Sequence, residues 1–438
     1  MEFIQESFVR EQFKSNNNDW FQKFITDYDN KVQATMKSKG YRCIHSMERT
    51  VIFTFGEFTI RRKRWKKGSE WFVPVDVMLG LEKNTRYSLE FMYQVACLAT
   101  TMSYDMVVKA VNLVYQVSIT KPSVVKAVKI CEKLIEEKDN FRFFKEFNPK
   151  QTVDLLYIEG DGVMVKARED ESDNKNYDLS HFVLHTGSYE EYKNRYKLEN
   201  KKEFISLKNT SAREQLIDYV YNTYKIHKNT ILVTNSDGGH GYTPYIFKEI
   251  AKNLKITYHE HFWDEYHVNK MVKDYYKELP SDLLEKVFKA IKKHSKHELE
   301  VILDTTESVL SSEEEEEKFS IFKKKMLTNF QYLKPAKLRG LKSQGIGIME
   351  SQHRKVTYRM KKRGMYWSKR GASTMSQIII MSYEGKLHDL FFGAWRKQYE
   401  PFKDTLNFSA ADTFDHSPDK RTYQLPKLAL KASYPYKK

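Results

Sequence analysis

Tyr157-Ile-Glu-Gly-Asp-Gly-Val-Met-Val-Lys166 is the stretch from which the rest of the chain is read. Its apolar, β-branched and aromatic residues predict a buried strand, and with its flanks the strand spans Thr152 to Ala167. Asp161 sits in it between Gly160 and Gly162, where packing has no need of a carboxylate. Further strands are expected at Ser180–His185 and Glu203–Leu207. An amphipathic helix at Ala212–Tyr224, a strand at Asn229–Thr234, a helix at Tyr245–Asn253 and a strand at Lys255–His259 come next. Trp263-Asp264 then leads into a helix through His267. Three strands followed by helix, strand, helix, strand, helix is the order of an RNase H-like α/β fold with a mixed sheet. The first part of that core spans 149–264.

Residues 265–342 read as a charged α-helical insertion that splits the core. Its run Glu313–Glu317 after Ser312 reads as a solvated helix face. The core resumes at 343–390 with a helix near Glu350 and another at Ala372–Ser382. Residues 391–438 lack a period and are expected to be loosely ordered. Upstream, 1–87 combine a helix with a small β-hairpin. Phe21, Phe24 and Ile25 mark the helix's apolar face, and Thr50–Ile60 form the hairpin around a Gly56-Glu57 turn. The second strand runs into Arg61-Arg-Lys-Arg-Trp-Lys-Lys67, six cations around one indole. Such a run would track phosphates while Trp65 stacks on a base. Residues 88–148 read as helical. Ser103 caps one helix, Gln116–Thr120 break it, and a second opens at Lys121-Pro122. With Lys121, Lys126 and Lys129 on the second helix, the pair is compatible with a helix-turn-helix.

The 438 residues carry a formal net charge of +16, which favours polyanionic partners. The cations are scattered over several segments and not gathered on one amphipathic helix, so a membrane-surface role is disfavoured. No apolar run approaches the roughly 20 residues of a membrane span, and the first residues lack a signal-peptide pattern. Cys43, Cys97 and Cys131 fit neither a zinc spacing nor a disulfide framework. A reducing cytoplasm is the expected compartment.

Two later stretches converge on Asp161 in this reading. Ile231-Leu-Val-Thr-Asn-Ser-Asp-Gly-Gly-His240 ends a strand at Asp237. Gly345-Ile-Gly-Ile-Met-Glu-Ser-Gln-His353 puts Glu350 at the start of a helix. Asp161, Asp237 and Glu350 are the expected catalytic and metal-binding carboxylates. Mg2+, or Mn2+, takes oxygen ligands, and two such ions about 3.5–4 Å apart serve phosphoryl transfer. The bland alternative is that both aspartates cap strand-to-turn junctions. Glu159 lies on the same side of the strand as Asp161 and is set aside because glycines flank Asp161. Asp264 and His267 are expected to orient DNA or a metal-bound water, and His353 and Arg354 to stand near Glu350. His240, His259 and His261 lack a partner cysteine at zinc spacing, so ordinary polar roles are expected. The block Arg359, Lys361, Lys362, Arg363 with Trp367 joins Arg61, Arg62, Arg64, Trp65, Lys121 and Lys126 as expected DNA contacts.

Ile158-Glu-Gly-Asp161-Gly, Asn235-Ser-Asp237-Gly-Gly-His-Gly-Tyr242, Trp263-Asp264-Glu-Tyr-His267, Glu350-Ser and Arg359-Met-Lys-Lys-Arg-Gly-Met-Tyr-Trp367-Ser together resemble the DDE transposases of Lre-type bacterial insertion sequences, relatives of the Mutator-like enzymes. Phe55-Gly-Glu57, Arg61-Arg62 and Leu79-Gly80-Leu81 share the resemblance, which covers roughly 45–385. It implies an RNase H-like core with a helical insertion and catalytic acids at Asp161, Asp237 and Glu350. It also implies cleavage of insertion-element ends and joining of the freed 3′-OH to target DNA. Terminal inverted repeats and target DNA are then the partners, and a dimer or higher assembly at the nucleoid is expected. Two alternatives stand beside it: an RNase H-like nuclease without strand transfer, and a non-catalytic DNA-binding regulator.

Overall fold

The computed structural model describes residues 6–141, 149–168, 175–310 and 312–402. The protein is mixed α/β, with a mostly helical N-terminal part and small sheets. The strand Leu155–Lys166 lies at the centre of a five-stranded sheet. Across the sheet the order is Tyr258–Trp263, Ile231–Ser236, Leu155–Lys166, Asn176–His185, Lys202–Ser206. Asn176–His185 and Lys202–Ser206 extend the central strand as an antiparallel meander. Ile231–Ser236 and Tyr258–Trp263 run parallel to it. Parallel strands need crossovers, and the helices Asn209–Thr223 and Pro244–Asn253 supply them. The last strand begins three residues later than its expected start at Lys255. Lys255 takes a left-handed φ of +58°, so the chain is still leaving the helix there.

Leu156, Ile158, Phe182, Leu184 and Leu232 on one face of the sheet pack against the two crossover helices. Val163, Val165, Leu179 and Ile205 on the other face join a larger core. That core is built from the helices Leu89–Thr101, Tyr104–Tyr115 and Lys121–Phe141 together with Met349–Met360, Lys369–Tyr383 and Leu387–Phe392. Ser103 caps Tyr104–Tyr115 as expected, its hydroxyl accepting from the Met106 amide at 3.3 Å. Lys121–Phe141 spends its apolar stripe, including Val124, Ala127, Val128 and Cys131, inside this shared core. Packing continues beyond position 391: Trp395 and Tyr399 are buried, with ring centroids 6.2 and 6.1 Å from Phe141. The tail beyond 402 lies outside the described residues.

After Trp263 the chain leaves the sheet for the helices Glu265–Tyr275, Ser281–Lys293, Lys296–Glu307 and Glu313–Thr328. They enclose a separate core around Val272, Val287, Leu299, Leu303 and Phe322. The acid run occupies the exposed first turn of the last of these, where negative charge suits the helix dipole.

The N-terminal module packs the helix Glu6–Ser38 on a three-stranded antiparallel sheet, Arg42–Phe53, Gly56–Lys67 and Glu70–Phe72. Phe21 and Ile25 are buried with Val51, Phe53, Phe58 and Ile60. Phe24 instead points outward, stacked on Trp20 at 5.7 Å. The hairpin turn falls on Thr54-Phe55, ahead of the expected Gly56-Glu57. Gly56, at φ +134°, already opens the return strand. Among the described residues no helix is long and apolar enough to cross a membrane.

Candidate active site

The central strand delivers two carboxylates of different character, two residues apart. Glu159 is fully buried. Its Oε1 accepts from the Gly347 amide at 2.8 Å, and its Oε2 from the Ile348 amide at 2.9 Å and from Asn235 Nδ2 at 3.3 Å. Burial pushes its pKa up to about 8 against the pull of those donors. Asp161 is the more open of the two, with a quarter of its side chain exposed. Its Oδ1 accepts from the Gly162 amide at 2.7 Å. Gly160 between them is required for packing: a Cβ there would lie 2.6 Å from the Phe182 ring. Its role is close contact inside the core and not clearance for a substrate.

Asn235 pairs with Glu159 in the parallel register, and Ser236 with Trp263. Continuing each register past the strand ends sets Asp237 beside Asp161 and Asp264 beside Asp237. Electrostatics agree with this placement. Burial, then the Asp237 charge, with a smaller contribution from Asp264, raise the Asp161 pKa to about 6. Asp237 is held in a tight turn, its Oδ1 accepting from the Gly239 amide at 2.8 Å while Trp263 Nε1 donates to its carbonyl at 2.9 Å. Asp264 caps the helix Glu265–Tyr275: Oδ1 accepts from the His267 amide at 3.1 Å and Oδ2 from Asn235 at 3.0 Å. Asn235 therefore ties the buried Glu159 to Asp264 beneath the open edge.

The loop before the third expected acid is clamped to the sheet. Glu159 holds Gly347 and Ile348, His185 Nε2 lies 2.9 Å from the Gly345 carbonyl, and Ser188 donates to the Gln344 carbonyl at 3.0 Å. Gly347 takes φ +78°, which favours glycine. Glu350 follows in the first turn of Met349–Met360 and is exposed. One turn later the same helix brings His353 over the site, with Nδ1 3.7 Å from Asp161 Oδ2. The His353 ring lies against His181 at 5.3 Å, and its Nε2 is buried with no hydrogen-bond partner among the described residues. Burial, then His181, push the His353 pKa down to about 3. Next to it, His181 Nε2 meets Glu203 Oε2 at 3.0 Å, and Lys355 and Lys201 bind Oε1 of the same carboxylate. Although burial works to raise it, these three neighbours hold the Glu203 carboxyl well below its usual range.

The structure thus brings together Asp161, Asp237, Asp264, His267 and His353 at one end of the sheet. Glu350 and Arg354 are exposed on the adjoining helix. No group of three His, Cys, Asp or Glu side chains among the described residues forms a metal-ligand set. Asp161 and Asp237 nonetheless press on each other with no Lys or Arg paired to either among the described residues. Uncompensated oxygen donors of this kind fit a hard divalent cation. His259 Nε2 and His261 Nδ1 both lie 2.8 Å from Thr234 Oγ1, an ordinary polar role.

Four expected DNA contacts are corrected. Trp65 is fully buried across from Phe72 and has no free ring face. Arg62 is clamped by Asp76, with Nε 2.7 Å from Oδ1. Arg359 is 1% exposed, donates to the Ala99 carbonyl at 2.7 Å and sits between the Tyr104 and Trp367 rings. Trp367 is buried and donates to the Met360 carbonyl at 3.0 Å. Arg61, Lys126, Lys361, Lys362 and Arg363 remain exposed. Lys121 is exposed and meets Asp105 at 2.8 Å. Arg64 is half-buried against Trp71, an indole the sequence reading passed over.

The profile of a family described as Uncharacterised protein family (UPF0236) matches residues 4–398. The chain belongs to that family. It is 32% identical over 370 residues to a UPF0236 protein in the vanSb 3′ region of Streptococcus gallolyticus, covering 83% of this chain and 78% of that one. A UPF0236 protein of Caldanaerobacter subterraneus subsp. tengcongensis is 25% identical over 247 residues, 55% of this chain and 49% of its own length. The chain therefore spans about half of that second relative. Among solved structures, a Drosophila P element transposase strand transfer complex aligns with a TM-score of 0.26 and 11% identity, over 78% of this chain and 90% of that one.

Proposed function

We propose that this UPF0236 protein is a DDE-type DNA transposase with an RNase H-like core, acting by metal-dependent phosphoryl transfer. The observation that carries the reading is the placement of Asp161, midway along the central strand, beside Asp237, one residue past the end of the neighbouring parallel strand, where burial and mutual repulsion raise the Asp161 pKa to about 6. The strand order supports it, since an antiparallel meander extended by two parallel strands on the other side of the first is the RNase H-like arrangement. Of the motifs that resemble Lre-type transposases, those around Asp161, Asp237 and Asp264 meet at this edge.

Asp161 and Asp237 would hold Mg2+ or Mn2+, with Glu350 as the third carboxylate from its helix. Two such ions, when bound, supply Lewis acidity and lower the pKa of a water. The chain's own residues do the rest. Asn235 and the capped helix fix Asp264 at the edge. Glu159, His185 and Ser188 hold the loop that presents Glu350. His353 stays neutral beside Asp161 and adds no competing positive charge. The phosphodiester would lie along the exposed edge, and Lys361, Lys362 and Arg363, past the far end of the helix that starts at Glu350, would meet flanking DNA. Cleavage at an element end frees a 3′-OH that attacks target DNA, so no covalent enzyme intermediate is needed.

The test is Mg2+-dependent cleavage of DNA carrying the element's own ends, followed by strand transfer from a pre-cut end with a 3′-OH. Transfer by wild type and its loss in Asp161→Asn, with DNA binding kept, is the expected result. Cleavage without transfer would make the protein a nuclease. Binding with neither would make it a regulator.

A further inference from the structure

Trp71 and the cations beside it form a second surface that the acidic edge does not use. On the three-stranded sheet Arg42 lies opposite Lys66, and Lys66 opposite Trp71, so the three side chains share one face. Arg64, two residues before Lys66, shares it too. The Arg64 guanidinium sits 3.9 Å from the Trp71 ring centroid and the Lys66 ammonium 5.1 Å from it. Trp71 is 42% exposed, on an edge strand of three residues. Among the described residues no carboxylate pairs with Arg42, Arg64 or Lys66. The opposite face is closed: Trp65 is buried there, and the helix Glu6–Ser38 holds that strand through Asp29, which accepts from the Lys63 amide at 2.7 Å.

A half-exposed indole flanked by cations that no carboxylate pairs among the described residues is well suited to a strand with unstacked bases. Cations follow the backbone while the ring takes a base face. We infer that the Arg42, Arg64, Lys66 and Trp71 face of the hairpin binds single-stranded DNA by stacking an unpaired base on Trp71. This rests on the reading of DNA as the partner but not on catalysis.

The test uses the full chain and a fluorescently labelled single-stranded oligonucleotide, with the duplex of the same sequence as a second probe, followed by anisotropy. Trp71→Ala is expected to weaken single-strand binding about tenfold, the effect of losing one stacked base. Trp71→Phe should keep most of the affinity. Arg64→Ala with Lys66→Ala should lower the slope of log affinity against log salt by about 1.4 for two phosphate contacts. Wild-type single-strand affinity in a folded Trp71→Ala protein, checked by circular dichroism, would overturn the inference. So would an equal loss on duplex and single strand, since stacking predicts the larger loss on the unpaired strand. If wild type binds but neither cuts nor joins, the transposase reading fails while this one stands.

Discussion

The sheet body and the N-terminal hairpin module handle charge in opposite ways. In the sheet body titratable groups go inside: Glu159, His181, His185, His261 and His353 are buried, and Asp161 is crowded by Asp237. In the hairpin module the cations stay at the surface or are neutralised, as when Asp76 takes both Arg49 and Arg62 at 2.8 and 2.7 Å. The first region stores like-charge repulsion that a bound cation would relieve. The second offers positive charge that a polyanion would satisfy. The contrast teaches that this basic chain is not uniformly basic, and that its two surfaces suit ligands of opposite charge.

The largest expected effect breaks the acidic side of the contrast. Asp237→Asn, like Asp161→Asn, should lower DNA cleavage by at least about a hundredfold, since each removes a carboxylate from ion-assisted chemistry. Wild-type cleavage rates in Asp237→Asn would remove that residue from the mechanism. Next comes the pair of indoles on one module. Trp65→Ala should destabilise the protein by about 3–5 kcal/mol, the usual cost of emptying a large aromatic site. Trp71→Ala should change stability by no more than about 0.5 kcal/mol, as for an open surface position. Urea unfolding midpoints of the two variants would settle the comparison, and equal losses would contradict the burial difference.

A smaller effect separates the two regions by pH. Burial lowers the pKa of His185 to about 4 and of His261 to about 3. Both then bind protons more weakly folded than unfolded. Their contribution is fully present above pH 6.5 and is lost as pH falls toward the folded values. The sheet body should therefore melt at lower temperature as pH falls from about 6.5 to 4.5, in step with the ordinary histidine pKa. The hairpin module buries no histidine among the described residues, so amide exchange from its strands should not respond in the same way. The last change, Glu159→Gln, acts on the buried carboxylate of the sheet body. One amide that Glu159 accepts would then face an N–H donor, and stability should fall by about 1–3 kcal/mol in calorimetric melts.

Much of the sheet was legible in the chain, because its buried strands are apolar, β-branched runs, and backbone hydrogen bonding leaves few other solutions. The aspartates were legible because a carboxylate beside glycine, in or just past an apolar run, has no packing role. Three things were not. Trp65 and Trp71 sit in similar basic surroundings, and only the helix closing over one face decides which is available. Arg359 reads as part of a cationic block, but it shares the buried face of its helix with Val356 and Met360, which turns it inward to the Ala99 carbonyl. Glu159 was set aside because glycines flank Asp161, and its three partners, Asn235, Gly347 and Ile348, lie far along the chain with no spacing signature to mark it.

The core shared by the helices of 89–141 and those of 349–399 bears on how the protein is made. Phe141 leaves the ribosome long before Trp395 and Tyr399 exist to cover it. The early helices must wait with that surface open until residues 395–399 have been made. A copy truncated between Glu350 and Trp395 would lose the lid of its oldest core while keeping Asp161, Asp237 and Glu350.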